Sequence, residues 1–160
     1  MSTEVTLLPY QPDHQQAFTF YPLTPDQLEF TAHPLDLLKE DSHSQTPVTI
    51  LAGNQVAGFF ILEVSDDRYF YTENPNSVLL KGYSIHPDYQ GQGIAKESIL
   101  ALPNFIREHF PQFDEVVLGV NDMNEAARAV YLKGGFVDEG RRYNGLKGEQ
   151  WALHLYVKAE

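Results

Sequence analysis

Cysteine is absent from all 160 residues, so the chain can form no disulfide and offers no thiol as nucleophile or metal ligand. No apolar run approaches the roughly 20 residues that a spanning helix needs. The opening MSTEVTLLPYQPDHQ has no basic leader, no long apolar stretch and no small-residue cleavage site, and a cytoplasmic chain with no membrane partner is expected. Basic charge is scarce too. Eleven Lys and Arg stand against 22 Asp and Glu, a formal net charge of −11. Phosphate backbones bind through Lys and Arg, so no nucleic-acid partner is expected. The histidines (His14, His33, His43, His86, His109 and His154) show no ligand spacing such as H-x-H or H-E-x-x-H, and no metal is expected.

What is present argues for a packed globule. Hydrophobic residues make up 42% and aromatics 12%, which predicts one folded domain over residues 1–160. The charge is uneven. Residues 1–80 carry eleven acids and two bases (Lys39 and Arg68), whereas residues 81–160 carry eleven acids and nine bases.

Residues 3–9 read as a first strand, and the segment that follows, broken by prolines, as short helices starting at TPDQ and HPLD. PVTILAGNQVAGFFILEV reads as a hairpin around Gly53-Asn54, SDDRYFYTENPNS as a polar loop, and VLLKGYSIH as a strand. Gly82 inside that strand predicts a bulge or a close backbone approach. A helix is predicted over Gly91 to His109, kinked at Pro103. A strand over FDEVVLGV, a helix over NEAARAVYLKGG and two final strands, FVDEGRRY and EQWALHLYV, complete an α/β mixed sheet flanked by helices.

The segment IHPDYQGQGIAKES places a Gly-rich turn at the mouth of a helix, which is where a phosphate is held. A dinucleotide fingerprint would need a small third residue where Lys96 stands, and the acidic residue about 20 positions on is missing. A Walker loop would need Gly-Lys-Ser/Thr, and nothing matches. Gln90-x-x-Gly93-x-Ala95 remains, with small residues that admit a diphosphate to the backbone. Further on, NDMNEAARAVYLKGGFVDEG sets Asn124, Ala127 and Tyr131 on one stripe of one helix, followed by Lys133, Gly135 and Phe136.

The two segments, in this order and with a strand between them, resemble the two acetyl-CoA signatures of the GNAT superfamily of N-acetyltransferases. The resemblance runs from about Leu79 to Phe136, and the element order extends it along the chain. It implies a central, mostly antiparallel sheet of about six or seven strands with a splayed parallel pair, flanked by about four helices. It implies acetyl-CoA as cosubstrate, with the pantetheine arm beside Tyr83, Ser84 and Ile85. Ile85 N–H would serve the thioester carbonyl, and the backbone of Gln90, Gly91, Gln92, Gly93, Ile94, Ala95 and Lys96 the diphosphate. Asn124, Ala127 and Lys133 belong to the same cofactor set. Tyr131 would protonate the departing thiolate.

The base that frees the amine is less legible, because LLKGYSIHP lacks the acid that relatives carry there. Glu63, at the end of AGFFILE, is the candidate; His86 is the other. The acceptor groove of this fold is built largely from the acidic half, which points to a small cationic amine or polyamine. Tyr10, Phe18, Phe20, Tyr21, Phe30 and Tyr71 are available to meet a cation. The layout is similar to diamine and spermidine acetyltransferase-like proteins. A non-catalytic acyl-CoA-binding module is the alternative, a dinucleotide oxidoreductase the third reading, and homodimerisation through the last strands is open.

Overall fold

The computed structural model describes residues 4–40 and 42–158. Seven strands are β1 (Val5–Pro9), β2 (Gln45–Ala52), β3 (Gln55–Glu63), β4 (Ser77–Ile85), β5 (Glu115–Asn121), β6 (Val137–Gly145) and β7 (Gly148–Tyr156). They form one sheet in the order β1-β2-β3-β4-β5-β7-β6, antiparallel throughout except between β4 and β5. The mixed sheet expected from the element order is therefore present, with the hairpin β2–β3 turning at Gly53-Asn54.

Among the described residues six short helices accompany it: α1 (Gln15–Thr19), α2 (Pro25–Phe30), α3 (Pro34–Leu38), α4 (Ile94–Leu100), α5 (Leu102–His109) and α6 (Glu125–Lys133). There are more of them than the family pattern suggests, and prolines supply the reason. Pro25 and Pro34 each occupy a first helical position, where the missing N–H is no loss. Thr24 caps α2 in a reciprocal box with Gln27, and the His33 ring caps α3. The long helix predicted over 91–109 starts later, at Ile94, and divides at Ala101, so that Pro103 sits in the first turn of α5 rather than as an internal kink. The polar loop after β3 is also more ordered than its composition suggests: Asp66–Phe70 form a 3-10 turn capped by Ser65.

Strand alternation sends successive side chains to opposite faces. Phe60 and Leu62 join a core with Val78, Val116, Ile99 and Ile106, under α4, α5 and α6. Phe59 and Ile61 join Phe18 and Tyr21 under α1 and α3. Phe18 is fully buried there, worth about 1.5–3 kcal/mol relative to exposure.

Two features of this sheet position the site. β4 and β5 pair over only three residues, Ser77–Leu79 against Glu115–Val117, and then part company. On the other side of β4, Phe59 pairs with Ser84 but Ile61 with Lys81, so Gly82 and Tyr83 together oppose Phe60. That is the bulge foreseen at Gly82, whose φ of +67° is open to glycine. A bulge bends the strand that carries it, and this one lies beyond the last paired residue of β4 and β5, beside the gap.

Candidate active site

A cavity of about 970 Å³ occupies the gap between the splayed strands. Its geometry follows from the ladder. His86 N–H donates to Ala57 C=O at 2.7 Å, and antiparallel alternation then turns the polar groups of Ile85 away from β3, into the gap. There the Ile85 carbonyl accepts from Gln27 Nε2 at 2.9 Å and from Gln90 Nε2 at 3.3 Å. Ile85 N–H faces the same opening.

At one end of the cavity the chain passes through Gly91 and Gly93, with φ of +75° and +79°. A Cβ at either would meet nothing within 4 Å, so the glycines answer to the turn and leave the backbone uncovered. Gly93 is the N-cap of α4 and supplies no side-chain oxygen; the first-turn N–H groups of Ile94, Ala95 and Lys96 therefore point outward with the helix dipole behind them. An anionic group fits this end, and Lys96, in the first turn of α4, and Lys133 are among the residues that line the cavity.

Across the gap stands α6. Asn124 is its N-cap, with Oδ1 accepting from Ala127 N–H at 3.3 Å, which leaves the amide nitrogen of Asn124 to face the cavity. One stripe further, Tyr131 is buried with its ring 5.7 Å from Tyr83, edge to face. Burial and the neighbouring Tyr83 push the Tyr131 phenol well above its ordinary range, so it holds its proton. Tyr83 is itself fixed by a 2.6 Å bond between its hydroxyl and Ser98 Oγ.

The cavity thus gathers thirteen of the residues singled out from the sequence: Tyr83, Ser84, Ile85, Gln90, Gly91, Gly93, Ile94, Ala95, Lys96, Asn124, Ala127, Tyr131 and Lys133. Ser84 contributes by its backbone, because its hydroxyl is paired with Tyr21 on the opposite face at 3.0 Å. Gln92 is not among the lining residues; its side chain turns back to Asp88 C=O at 2.8 Å.

Glu63 does not line the cavity either. Its carboxylate takes an ion pair from Lys81 at 2.8 Å and hydrogen bonds from Gln45 at 2.8 Å and Ser65 at 2.7 Å. Burial alone would raise its pKa, but those donors and the Lys81 charge outweigh it and hold the carboxyl below the usual range. A carboxylate so held is a weak proton acceptor. His86 is spent on structure: Nδ1 accepts from Asp88 N–H at 3.0 Å, so Nε2 carries the proton toward Phe20 C=O at 3.2 Å.

The other end of the cavity was only partly foreseen. Of the aromatics named above, Phe30 and Tyr71 line it, while Tyr10, Phe18 and Tyr21 pack into the second core and Phe20 is exposed. Phe70 and Tyr143 stack there at 4.6 Å, with Tyr71 edge-on to Tyr143 at 5.8 Å. Tyr71 packs against Gly119, where a Cβ would come within 2.3 Å of its ring, and donates to Gln150 Oε1 at 3.1 Å. Burial, with Tyr143 and Asp67 nearby, pushes its phenol up to about 12. Asp26 and Asp67 line this end, as do Lys81, already paired with Glu63, and Lys147. Tyr143, Gln150 and the two aspartates carry no local motif; only the folded sheet brings them beside Phe30.

Among the described residues no three His, Asp or Glu side chains converge as a metal site, and no helix is long and apolar enough to cross a membrane.

In solved structures, the aminoglycoside acetyltransferase AAC(6')-Ib in complex with coenzyme A superposes with a TM-score of 0.74 at 16% identity, covering 96% of this chain and 95% of that one. A spermidine N-acetyltransferase SpeG chimera from Vibrio cholerae and hSSAT superposes with a TM-score of 0.65 at 16% identity, covering 95% of each chain. At such identities the likeness is one of fold. In sequence, the uncharacterized N-acetyltransferase YbbJ of Bacillus subtilis (strain 168) is 38% identical over 160 residues, 98% of this chain and 100% of that protein. The profile of the Acetyltransferase (GNAT) family matches residues 10–136. On these grounds, and with its β4–β5 splay, the chain belongs to the GNAT family of acetyltransferases.

Proposed function

We propose that the chain transfers an acetyl group from acetyl-CoA to the primary amine of a small cationic molecule, by direct attack within one ternary complex. The observation that carries this reading is the gap between β4 and β5, which brings Ile85 N–H, the bare Gly91–Gly93 turn and the Tyr131 phenol to one cavity. Acetyl-CoA, when bound, supplies an activated thioester. The residues supply the rest. Backbone N–H groups from Gly91 to Lys96 hold the diphosphate, with Lys96 and Lys133 adding charge. Asn124 offers its amide to the pantetheine. Ile85 N–H stabilises negative charge on the carbonyl oxygen. Tyr131 is the phenol beside the departing sulfur; its proton passes to the thiolate as negative charge develops there.

For the acceptor, Asp26 and Asp67 attract an ammonium into an aromatic wall formed by Phe30, Phe70, Tyr71 and Tyr143. Glu63 serves in this reading as the counter-ion of Lys81, and the proton of the acceptor passes to the cavity carboxylates and solvent. AAC(6')-Ib and SpeG, named for aminoglycoside and spermidine acetylation, lend support to a small-molecule amine.

The test has two stages. A thermal melt with acetyl-CoA, against NAD as control, should rise by a few degrees at a hundredfold excess over Kd, since that adds about 2.7 kcal/mol. Release of free coenzyme A with spermidine or an aminoglycoside should then exceed release without amine. A shift with NAD alone, or none, overturns the cofactor. A shift without amine-dependent turnover favours the binding-module alternative, which the occupied Glu63 also suits.

A further inference from the structure

We infer that Tyr71 sets the length of acceptor the enzyme takes, as a partition that closes the main cavity off from a second cavity of about 400 Å³ on the same face of the sheet. The inference rests on the amine acetylation proposed above.

The sheet lays the two cavities end to end. In the β5–β7 register Gly119 stands opposite Ala152, Val117 opposite His154 and Glu115 opposite Tyr156. Alternation turns these side chains to one face, together with that of Gln150, two residues before Ala152. Gly119 and Gln150 line the main cavity, whereas Glu115, His154 and Tyr156 line the second. Among the described residues Tyr71 alone lines both.

The ring of Tyr71 is fixed where the cavities meet. Gly119 leaves room for it, because a Cβ there would collide with Tyr71 Cε1 and Cζ. The hydroxyl donates to Gln150 Oε1 at 3.1 Å, and the backbone N–H donates to Arg68 C=O at 2.9 Å. Tyr143 stands edge-on to the ring at 5.8 Å. Arg141 braces the same loop, its guanidinium donating to the Tyr69 and Phe70 carbonyls at 2.9 and 3.3 Å. A ring held from these sides is a wall.

An acceptor whose reacting nitrogen lies beside Ile85 N–H runs the rest of its chain toward this wall. A chain that stops short of the ring is covered by the aromatic end of the cavity. A longer one must displace the ring or turn back into water. Beyond the ring the floor is already paired: Glu115 lies 2.7 Å from His154 Nδ1 and accepts from Thr72 at 3.2 Å and Asn74 at 3.0 Å. Glu73 and Glu139 are exposed around it and suit the far ammonium of a longer diamine.

The experiment measures kcat/KM of the full chain with acetyl-CoA over α,ω-diaminoalkanes of increasing length, by release of free coenzyme A. In the parent, kcat/KM should climb with chain length up to the diamine that meets the ring and then drop. In Tyr71→Ala the maximum should move to longer diamines, raising the ratio of long to short by about tenfold, as for a methylene gained by a pocket. Tyr71→Leu keeps an apolar side chain over Gly119 and should move the maximum the same way, which decides the matter if Tyr71→Ala does not fold. Tyr71→Phe keeps the ring and should keep the parent's maximum. A maximum that stays at the parent's length in the shortened variants overturns the inference alone. So does a parent whose kcat/KM never drops along the series. Absence of turnover with every diamine in the parent overturns the reading of the function, and this inference with it.

Discussion

Tyr131 sits at 7% exposure between Tyr83 and Phe136, with ring centroids at 5.7 Å to each. Its ring is core and its hydroxyl is the proposed acid, so the two can be separated by removing one oxygen. Tyr131→Phe should keep the fold and the acetyl-CoA affinity and lower kcat by about a hundredfold, the lower end of what general acids contribute. Binding isotherms beside steady-state turnover check this; an unchanged kcat removes Tyr131 from the acid's role. Asp67→Asn should act differently, raising KM for a cationic amine several-fold with kcat nearly intact, because it removes uniform attraction rather than transition-state stabilisation. Tyr131 was legible in the sequence because a polar-ended aromatic on the stripe of Asn124 and Ala127 demands a partner. Glu63 misled for an equally physical reason. A strand-end acid looks free in sequence, and only the fold brings Lys81 from β4 and Gln45 from β2 to it, beside its chain neighbour Ser65.

Elements set how far the site opens. Gly82 takes φ +67°, and a Cβ there would come within 2.8 Å of Leu37 Cδ1, the movable end of a side chain. Backbone strain therefore dominates its replacement. Gly82→Ala should cost about 1–2 kcal/mol in a denaturant melt and straighten β4, with a higher KM for acetyl-CoA. A variant equal to the parent in both readouts would sever the bulge from the gap. Gly93 makes the contrary case: with nothing within 4 Å, its side chain is missing for the sake of conformation and of what approaches from outside. Gly93→Glu should abolish acetyl-CoA binding by placing a carboxylate at the proposed diphosphate site, and tight binding would refute that placement. Strands and the bulge were readable because apolar strand-like runs and a glycine inside one of them, VLLKGYSIH, leave local marks. The 3-10 turn Asp66–Phe70 was not, since its support comes from Ser65 and from Arg141 on a distant strand bonding the Tyr69 and Phe70 carbonyls.

At the scale of the whole molecule, the net charge of −11 is not repeated in the main cavity, where Lys81, Lys96, Lys133 and Lys147 stand against Asp26 and Asp67. The acidity matters for stability through two carboxylates that are nearly sealed from water, Glu63 at 4% and Glu115 at 2% exposure. Each is buried, which alone would raise its pKa, and each is held below the usual range by the donors around it. The unfolded chain, with glutamates near a reference of about 4.3, takes up protons first as the pH falls. The stability from these pairs is complete above that value and is lost as the pH drops through the lower folded values. Melting temperature should therefore change little from these groups between neutrality and about pH 5, then fall below about pH 4.3. Glu63→Gln separates this from general acid expansion. It leaves Lys81 with a neutral partner, so the variant should melt lower at neutral pH and lose less on acidification. The two melting curves should then converge toward the acid limit. Parallel curves would mean that Glu63 titrates alike in the folded and unfolded chains, and that its three donors hold it in place without holding it charged.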